Sequence, residues 1–274
     1  PVDGAFRVEA ARLARELKAQ QDLARFLSEQ AAKVTDAAPA VSMFVEASRL
    51  AEEAGAIDDA MAALKAALQR TPDSVDLLSK ASTLALASRR LADADQTLRV
   101  LATHLTGDEQ RDVYLQLSRV NGELQRPKEA AAALTEVIRL GGAEAEHLPA
   151  VASFLEQAGM MRELTQAQAR LIALYEQAGD TDRASSLSVA RARVLETALG
   201  DKAEAIARYA EVLKAKPSDA DAIAALENLL ADQTHRESAA RAVLLAYEHA
   251  NDHRKQVSVL HVIAEAARDS MDKV

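Results

Sequence analysis

The apolar positions of this 274-residue chain fall three and four apart along most of its length. Phe44, Ala47, Ser48 and Ala51 stand at i, i+3, i+4 and i+7, and so do Leu78, Ala81, Ser82 and Ala85. Tyr114, Leu117, Ser118 and Asn121 repeat the set, and Leu148, Val151, Ala152 and Leu155 repeat it again. Each set makes one stripe along a helix, because a turn takes 3.6 residues. The small residue in the third place advances by 34, 36 and 34 residues from Ser48 to Ala152. A second pattern follows the stripes. Ala60, Leu64 and Ala67 are matched by Ala94, Leu98 and Leu101, and then by Ala130, Leu134 and Val137. Ala205, Tyr209 and Val212, in the stretch GDKAEAIARYAEVLKAKP, match it once more.

These periods predict helices in pairs. Ala5 to Gln20 pairs with Asp22 to Val34, Val41 to Ala54 with Ile57 to Arg70, and Val75 to Ser88 with Ala92 to His104. Glu109 to Leu124 pairs with Pro127 to Leu140, and Ala145 to Ala158 with Arg162 to Gln177. Arg183 to Leu199 pairs with Lys202 to Lys214, and Ala220 to Ala231 with His235 to His249; His253 to Asp269 stands alone. Gly55, Gly159, Gly179 and Gly200 sit where a helix ends in a left-handed residue, and Pro127 sits at a helix start, where its missing N–H is harmless. Two extra residues at Thr106 to Asp108 are expected to enlarge a surface loop. Pro149 falls inside a predicted helix. The DAAPA stretch, Asp36 to Ala40, is expected to bend the chain or form a weak boundary near 35–40 in what otherwise reads as one array over 1–274.

The unit resembles the tetratricopeptide repeat, a helix–turn–helix of about 34 residues. Phe44, Ala47, Ser48, Ala51, Ala60, Leu64 and Pro72 take the family's places in the first clear copy. The other copies depart from it. Asn121 replaces an aromatic residue, and Thr106 and Gly142 replace the proline. In the fourth copy Leu164 replaces the alanine and Gln168 the aromatic. The fifth copy is longer, with Leu164 and Ala205 41 residues apart, and fits with one residue inserted near Leu199. The resemblance implies an all-α fold, a right-handed superhelical solenoid of about seven antiparallel helix pairs plus one extra helix. Its alanine-rich style is similar to large bacterial multi-repeat proteins. The final SMDKV reads as a turn into a next helix, which makes the chain an expected fragment of a longer array.

Composition narrows the function classes. Aromatic residues are 3% of the chain and tryptophan is absent, so alanine, leucine and valine must fill the core. The net charge of −9 repels phosphate backbones, so no nucleic acid is expected as a partner. With no cysteine there is no disulfide, thiol catalysis or thiolate metal site. No apolar run is long enough to span a bilayer, so direct membrane insertion is not expected. The cytoplasm is the expected compartment, or the periplasm if a leader preceded Pro1.

No phosphate-binding loop, nucleophile elbow or metalloprotease motif occurs, and the carboxylate pairs read as solvated helix faces. The expectation is therefore no enzyme, no cofactor and no metal. His249 and His253 are four apart, but the Ala-Asn-Asp between them reads as a turn that separates them. The resemblance places the working surface on the first helices of the pairs, beside the core stripe. Arg49, Glu53, Thr83, Arg119, Glu123, Ser153 and Arg193 are the candidate partner-binding residues there. The arginine fork suits carboxylates of a peptide; the plainer reading pairs these arginines with glutamates on their own helices. One branch of the family clamps a terminal carboxylate with lysines and asparagines, but Val45, Ser79 and Gln116 stand near those places here. The function expected is a non-catalytic scaffold that binds a protein or peptide on a concave face. The alternatives are a structural spacer in a large bacterial complex and a ligand-responsive regulatory array.

Overall fold

The computed structural model describes residues 4–271 and contains fifteen α-helices among them. They are α1 (Gly4–Leu17), α2 (Gln20–Lys33), α3 (Ala37–Glu53), α4 (Ile57–Arg70), α5 (Val75–Ala87), α6 (Leu91–His104), α7 (Gly107–Glu123) and α8 (Pro127–Arg139). Then follow α9 (Glu144–Gln157), α10 (Met161–Gln177), α11 (Thr181–Thr197), α12 (Lys202–Ala215), α13 (Ala220–Leu229), α14 (Arg236–His249) and α15 (His253–Met271). The arrangement is all-α and tetratricopeptide-like, with seven pairs and a last helix. Helix α15 runs to Met271, and the rest of the SMDKV stretch lies outside the described residues.

One turn recurs inside the pairs. Gly55, Arg89, Gln125 and Gly159 all have positive φ, at 73°, 56°, 57° and 68°. Their spacing of 34, 36 and 34 residues is the step of the stripes. In each, the N–H of the left-handed residue and the next N–H close on the end of the preceding helix. Gly55 N donates to Glu52 O at 2.9 Å and Ala56 N to Ala51 O at 2.8 Å; Gln125 N donates to Gly122 O at 3.1 Å and Arg126 N to Asn121 O at 2.9 Å. This double closure satisfies carbonyls that the helix end would otherwise orphan. At Gly200 the turn is one residue longer, since Asp201 N reaches back six residues to Leu195 O. That is the insertion near Leu199.

The chain divides into two compact units, Pro1–Gly142 and Ala143–Val274. In the first, α1 to α8 pack on their chain neighbours around an alanine-rich core. Ala47, Ala51, Ala60, Ala67, Ala81, Ala85 and Ala94 are wholly buried, which lets helix backbones approach closely. Ser48, Ser82 and Ser118, the small third-place residues, are each 4% exposed. The DAAPA stretch leads straight into α3, which starts at Ala37 and packs along α2, and the division falls at Gly142 instead. A Cβ on Gly142 would come within 2.7 Å of Val137 Cγ1 and its carbonyl oxygen, so only glycine fits. The extra residues at 106–108 add to helix rather than loop: α7 begins at Gly107, and Gln110 Nε2 donates to Ala102 O at 2.8 Å.

Two polar side chains cross the core of this unit. Asn121, 1% exposed, donates from Nδ2 to Asp95 Oδ1 at 2.8 Å and to Leu117 O at 2.9 Å. Its Oδ1 accepts from Arg99 Nη2 at 3.3 Å. Asp95 also takes Arg99 Nε at 2.9 Å and Arg126 Nη1 at 3.2 Å. Burial alone would raise the Asp95 carboxyl, but these hydrogen bonds and the two guanidinium charges outweigh it and hold it below the usual carboxylate range.

In the second unit α11 to α15 share one core, with Tyr209 of α12 wholly buried at its centre. The Tyr209 hydroxyl donates to Glu196 at 3.0 Å, and one pair further on the Tyr247 hydroxyl donates to Glu227 at 2.8 Å. Burial first, then the facing carboxylates, push both phenols well above their ordinary value. Asp232, in the link between α13 and α14, accepts Lys202 Nζ at 2.6 Å and caps Thr234 and His235.

Candidate functional site

The seven residues singled out in the sequence are all exposed. Arg49, Thr83, Arg119 and Ser153 occupy one repeat position, separated by the same 34, 36 and 34 residues. Five of the seven lie in the first unit, and their charges are distributed differently from the sequence expectation. Glu53 is held by both arms of Arg15, from α1, at 2.7 and 2.9 Å, while Arg49 stands 3.9 Å from it. Glu123 accepts Arg89 at 2.8 Å. Arg119 makes no ion pair among the described residues. The plainer reading pairs these arginines with glutamates on their own helices; Arg49 with Glu53 is such a pair, though a long one, while the shorter bonds to Glu53 and Glu123 come from the preceding repeat.

Ser153 and Arg193 share one open groove in the second unit. It has a volume of about 940 Å³, against about 370, 440 and 280 Å³ for three hollows of the first unit. Helices α9 and α11 form its walls and α10 its floor. Three-residue turns at 158–160 and 178–180 run α10 antiparallel to both, and α10 packs on each. Gly159 at φ 68° closes the first turn, and Asp180 caps α11 by accepting from Arg183 N at 3.1 Å.

The floor is a helical row, Leu164, Gln168, Leu171 and Tyr175. Leu164 and Leu171 are buried at 2% and 4%, so the floor is firm and apolar. Pro149, Ala152 and Glu156 of α9 line one wall. Pro149 is the sixth residue of α9; its ring removes the N–H that would bond the carbonyl four residues back. Ala152, the fourth copy's third-place residue, is only half-buried where its serine equivalents are covered. Leu187, Ala190 and Val194 of α11 line the other wall with Arg183 and Arg193. Arg183 lies 5.9 Å over the Tyr175 ring. The nearest acid to Arg193 is Asp221, at 3.7 Å. Glu156 makes no ion pair among the described residues.

Gln168 is the anomaly of the floor. It is 7% exposed, and its Oε1 is enclosed with no hydrogen-bond partner. Leu64, Leu98 and Leu134 occupy this position in the earlier copies. The α10 row and most of the α11 wall escaped sequence reasoning, because an intact apolar stripe reads as core whether or not a helix covers it. The one available signal was Gln168 in a leucine place.

Among the described residues no group of three or more histidine or acidic side chains stands together as a metal site would. His249 ends α14 and His253 begins α15, with Asn251 at φ 54° between them. No described helix is long and apolar enough to cross a membrane.

No family model and no curated protein matches the chain. Among solved structures it is similar to YrrB, a TPR protein with an unusual peptide-binding site, at 16% identity over 70% of this chain and 92% of that one, TM-score 0.36. A tetratricopeptide repeat protein from Parabacteroides merdae is similar at 14% identity, over 94% and 97% of the two chains, TM-score 0.38. The human IFIT1 dimer with m7Gppp-AAAA is similar at 15% identity, over 97% of this chain and 55% of that one, TM-score 0.40.

Proposed function

We propose that the chain is a non-catalytic protein-interaction scaffold and that the groove over α10 is its binding surface. One observation carries this reading. In the fourth copy Ala152, on the α9 wall above that floor, is only half-buried, where its serine equivalents Ser48, Ser82 and Ser118 of the earlier copies are each 4% exposed. A firm, largely apolar floor with polar and charged side chains along its edges suits recognition of a protein segment. The alternatives of a passive spacer or a nucleic-acid binder find less support, since a spacer needs no open seam and the net charge of −9 opposes a phosphate backbone.

Ala190 is exposed on the groove wall, so a large residue there fills the groove without entering the core. A random peptide library displayed on phage, selected on the whole chain, should yield binders whose affinity falls at least about tenfold on Ala190→Trp. Charge reversal in Arg193→Glu should weaken a subset of them. Failure to select any binder, or binders indifferent to Ala190→Trp, would overturn the assignment; binding of single-stranded RNA blocked by the same substitution would replace it with a nucleic-acid role.

A further inference from the structure

Resting on the groove assignment above, we infer that its occupant is an amphipathic α-helix with one uncharged polar side chain in its apolar stripe, and that Gln168 is the residue that selects it. Three observations lead there.

The first is the accounting of backbone polar groups. An extended segment would bring an N–H and a C=O at every residue onto a floor of Leu164, Leu171 and Tyr175, where the Gln168 amide and the Tyr175 hydroxyl are the polar groups and the others, such as Ser153, Ser186 and Thr197, stand apart on the walls. A helix arrives with its backbone already bonded, and only its side chains need partners. The groove's form agrees. Floor positions at i, i+4, i+7 and i+11 make the ridge that one helix offers another, flanked on both sides by parallel helices.

The second is Gln168 itself. A buried amide with an unpaired oxygen is costly, and leucine serves at the equivalent place elsewhere. The cost is offset when a ligand supplies the missing partner. An amide presents either a donor or an acceptor by a half-turn, so asparagine, glutamine, serine or threonine would each satisfy it. An all-apolar stripe would seal the amide in with no partner at all. A single polar pair inside an apolar seam is a known way to fix register between helices.

The third is charge. Arg193, 3.7 Å from Asp221, and Arg183, 3.4 Å from Asp180, stand on the α11 wall with Asp182 at its start, while Glu156 stands on the α9 wall. The bound helix therefore carries acidic residues on the flank facing α11 and a basic residue on the flank facing α9.

Two synthetic helical peptides of about 18 residues test this. Both carry a leucine stripe, glutamates on one flank and lysines on the other; one has asparagine in place of a central leucine. Binding is read by fluorescence anisotropy to the whole chain and to Gln168→Leu, with Ala190→Trp as the blocked control and circular dichroism as the check on folding. The asparagine peptide should bind the wild type at least about tenfold more tightly than its leucine parent, and the preference should reverse on Gln168→Leu. Arg193→Glu should weaken the asparagine peptide, and replacing by lysine only the peptide glutamate that faces position 193 should restore binding. Equal binding of the two peptides, both blocked by Ala190→Trp, would overturn the role of Gln168 and leave the groove standing. If neither peptide binds while displayed peptides still select the groove, the helical occupant is wrong. If the display selection fails as well, the scaffold reading falls with it.

Discussion

Asn121 and Gln168 are both amides inside a repeat, both placed where the pattern calls for an apolar residue, and both nearly inaccessible. Asn121 is bonded at both ends and ties α7 to Asp95 and Arg99 of α6. Gln168 has an enclosed oxygen with no partner, on the floor of an open groove. The same departure from the repeat thus serves cohesion in the first unit and leaves an amide oxygen unpaired in the second. A polar residue in a core place identifies its role by what it bonds, and its identity alone is silent.

The comparison can be pressed by removing each amide in turn. Asn121→Leu should destabilise by about 2–3 kcal/mol, because it strips Asp95 of a buried donor, and the shift of the urea midpoint reads it. The same network gives a pH dependence. The folded Asp95 carboxyl is depressed, so its contribution is present above the unfolded value of about 3.9 and is lost as pH falls through the folded value. The stability gap between wild type and Asp95→Ala should accordingly be widest near neutral pH and narrow below about pH 4. Gln168→Leu should move the other way, stabilising the free protein by about 1–2 kcal/mol. A loss of stability on Gln168→Leu would show that its amide is already satisfied and end the contrast.

Smaller effects compare equivalent positions of the third and fourth copies. Gln125 and Gly159 fill the same left-handed place, so Gln125→Gly should stabilise by about 1 kcal/mol, again from the urea midpoint. Arg119 and Ser153 also correspond, but only Ser153 borders the groove. Arg119→Ser should change stability by less than about 0.5 kcal/mol and leave peptide binding unaltered.

Much of this fold is legible in the chain. The stripes located every pair, and α4 runs from Ile57 to Arg70 as its pattern predicts. Turn chemistry was legible where glycine supplied it, at Gly55 and Gly159, and hidden at Arg89 and Gln125, where helix packing holds an ordinary residue at positive φ. The groove was half legible. Ser153 and Arg193 were placed from their repeat positions. The α10 floor was not, because Leu164 and Leu171 satisfy the apolar period equally well when covered or open. Asn121 and Gln168 both read as degeneracy, since a hydrogen-bond partner contributed from another helix leaves no mark at a fixed spacing.

The ion pairs carry one more consequence. Arg15 with Glu53, Arg25 with Asp59, Arg89 with Glu123 and Lys202 with Asp232 each join one helix pair to the next. In a repeat array the total stability divides into what each repeat holds alone and what each junction adds. These four pairs belong to the junction part, while short-range pairs such as Arg208 with Glu204 and Arg241 with Glu237 act within single helices, each worth about 0.3–0.5 kcal/mol, and the buried alanines serve both parts. Raising ionic strength should therefore loosen the coupling between repeats more than the repeats themselves. Unfolding within each unit would then broaden, and the ends would fray first, before the midpoint moves far.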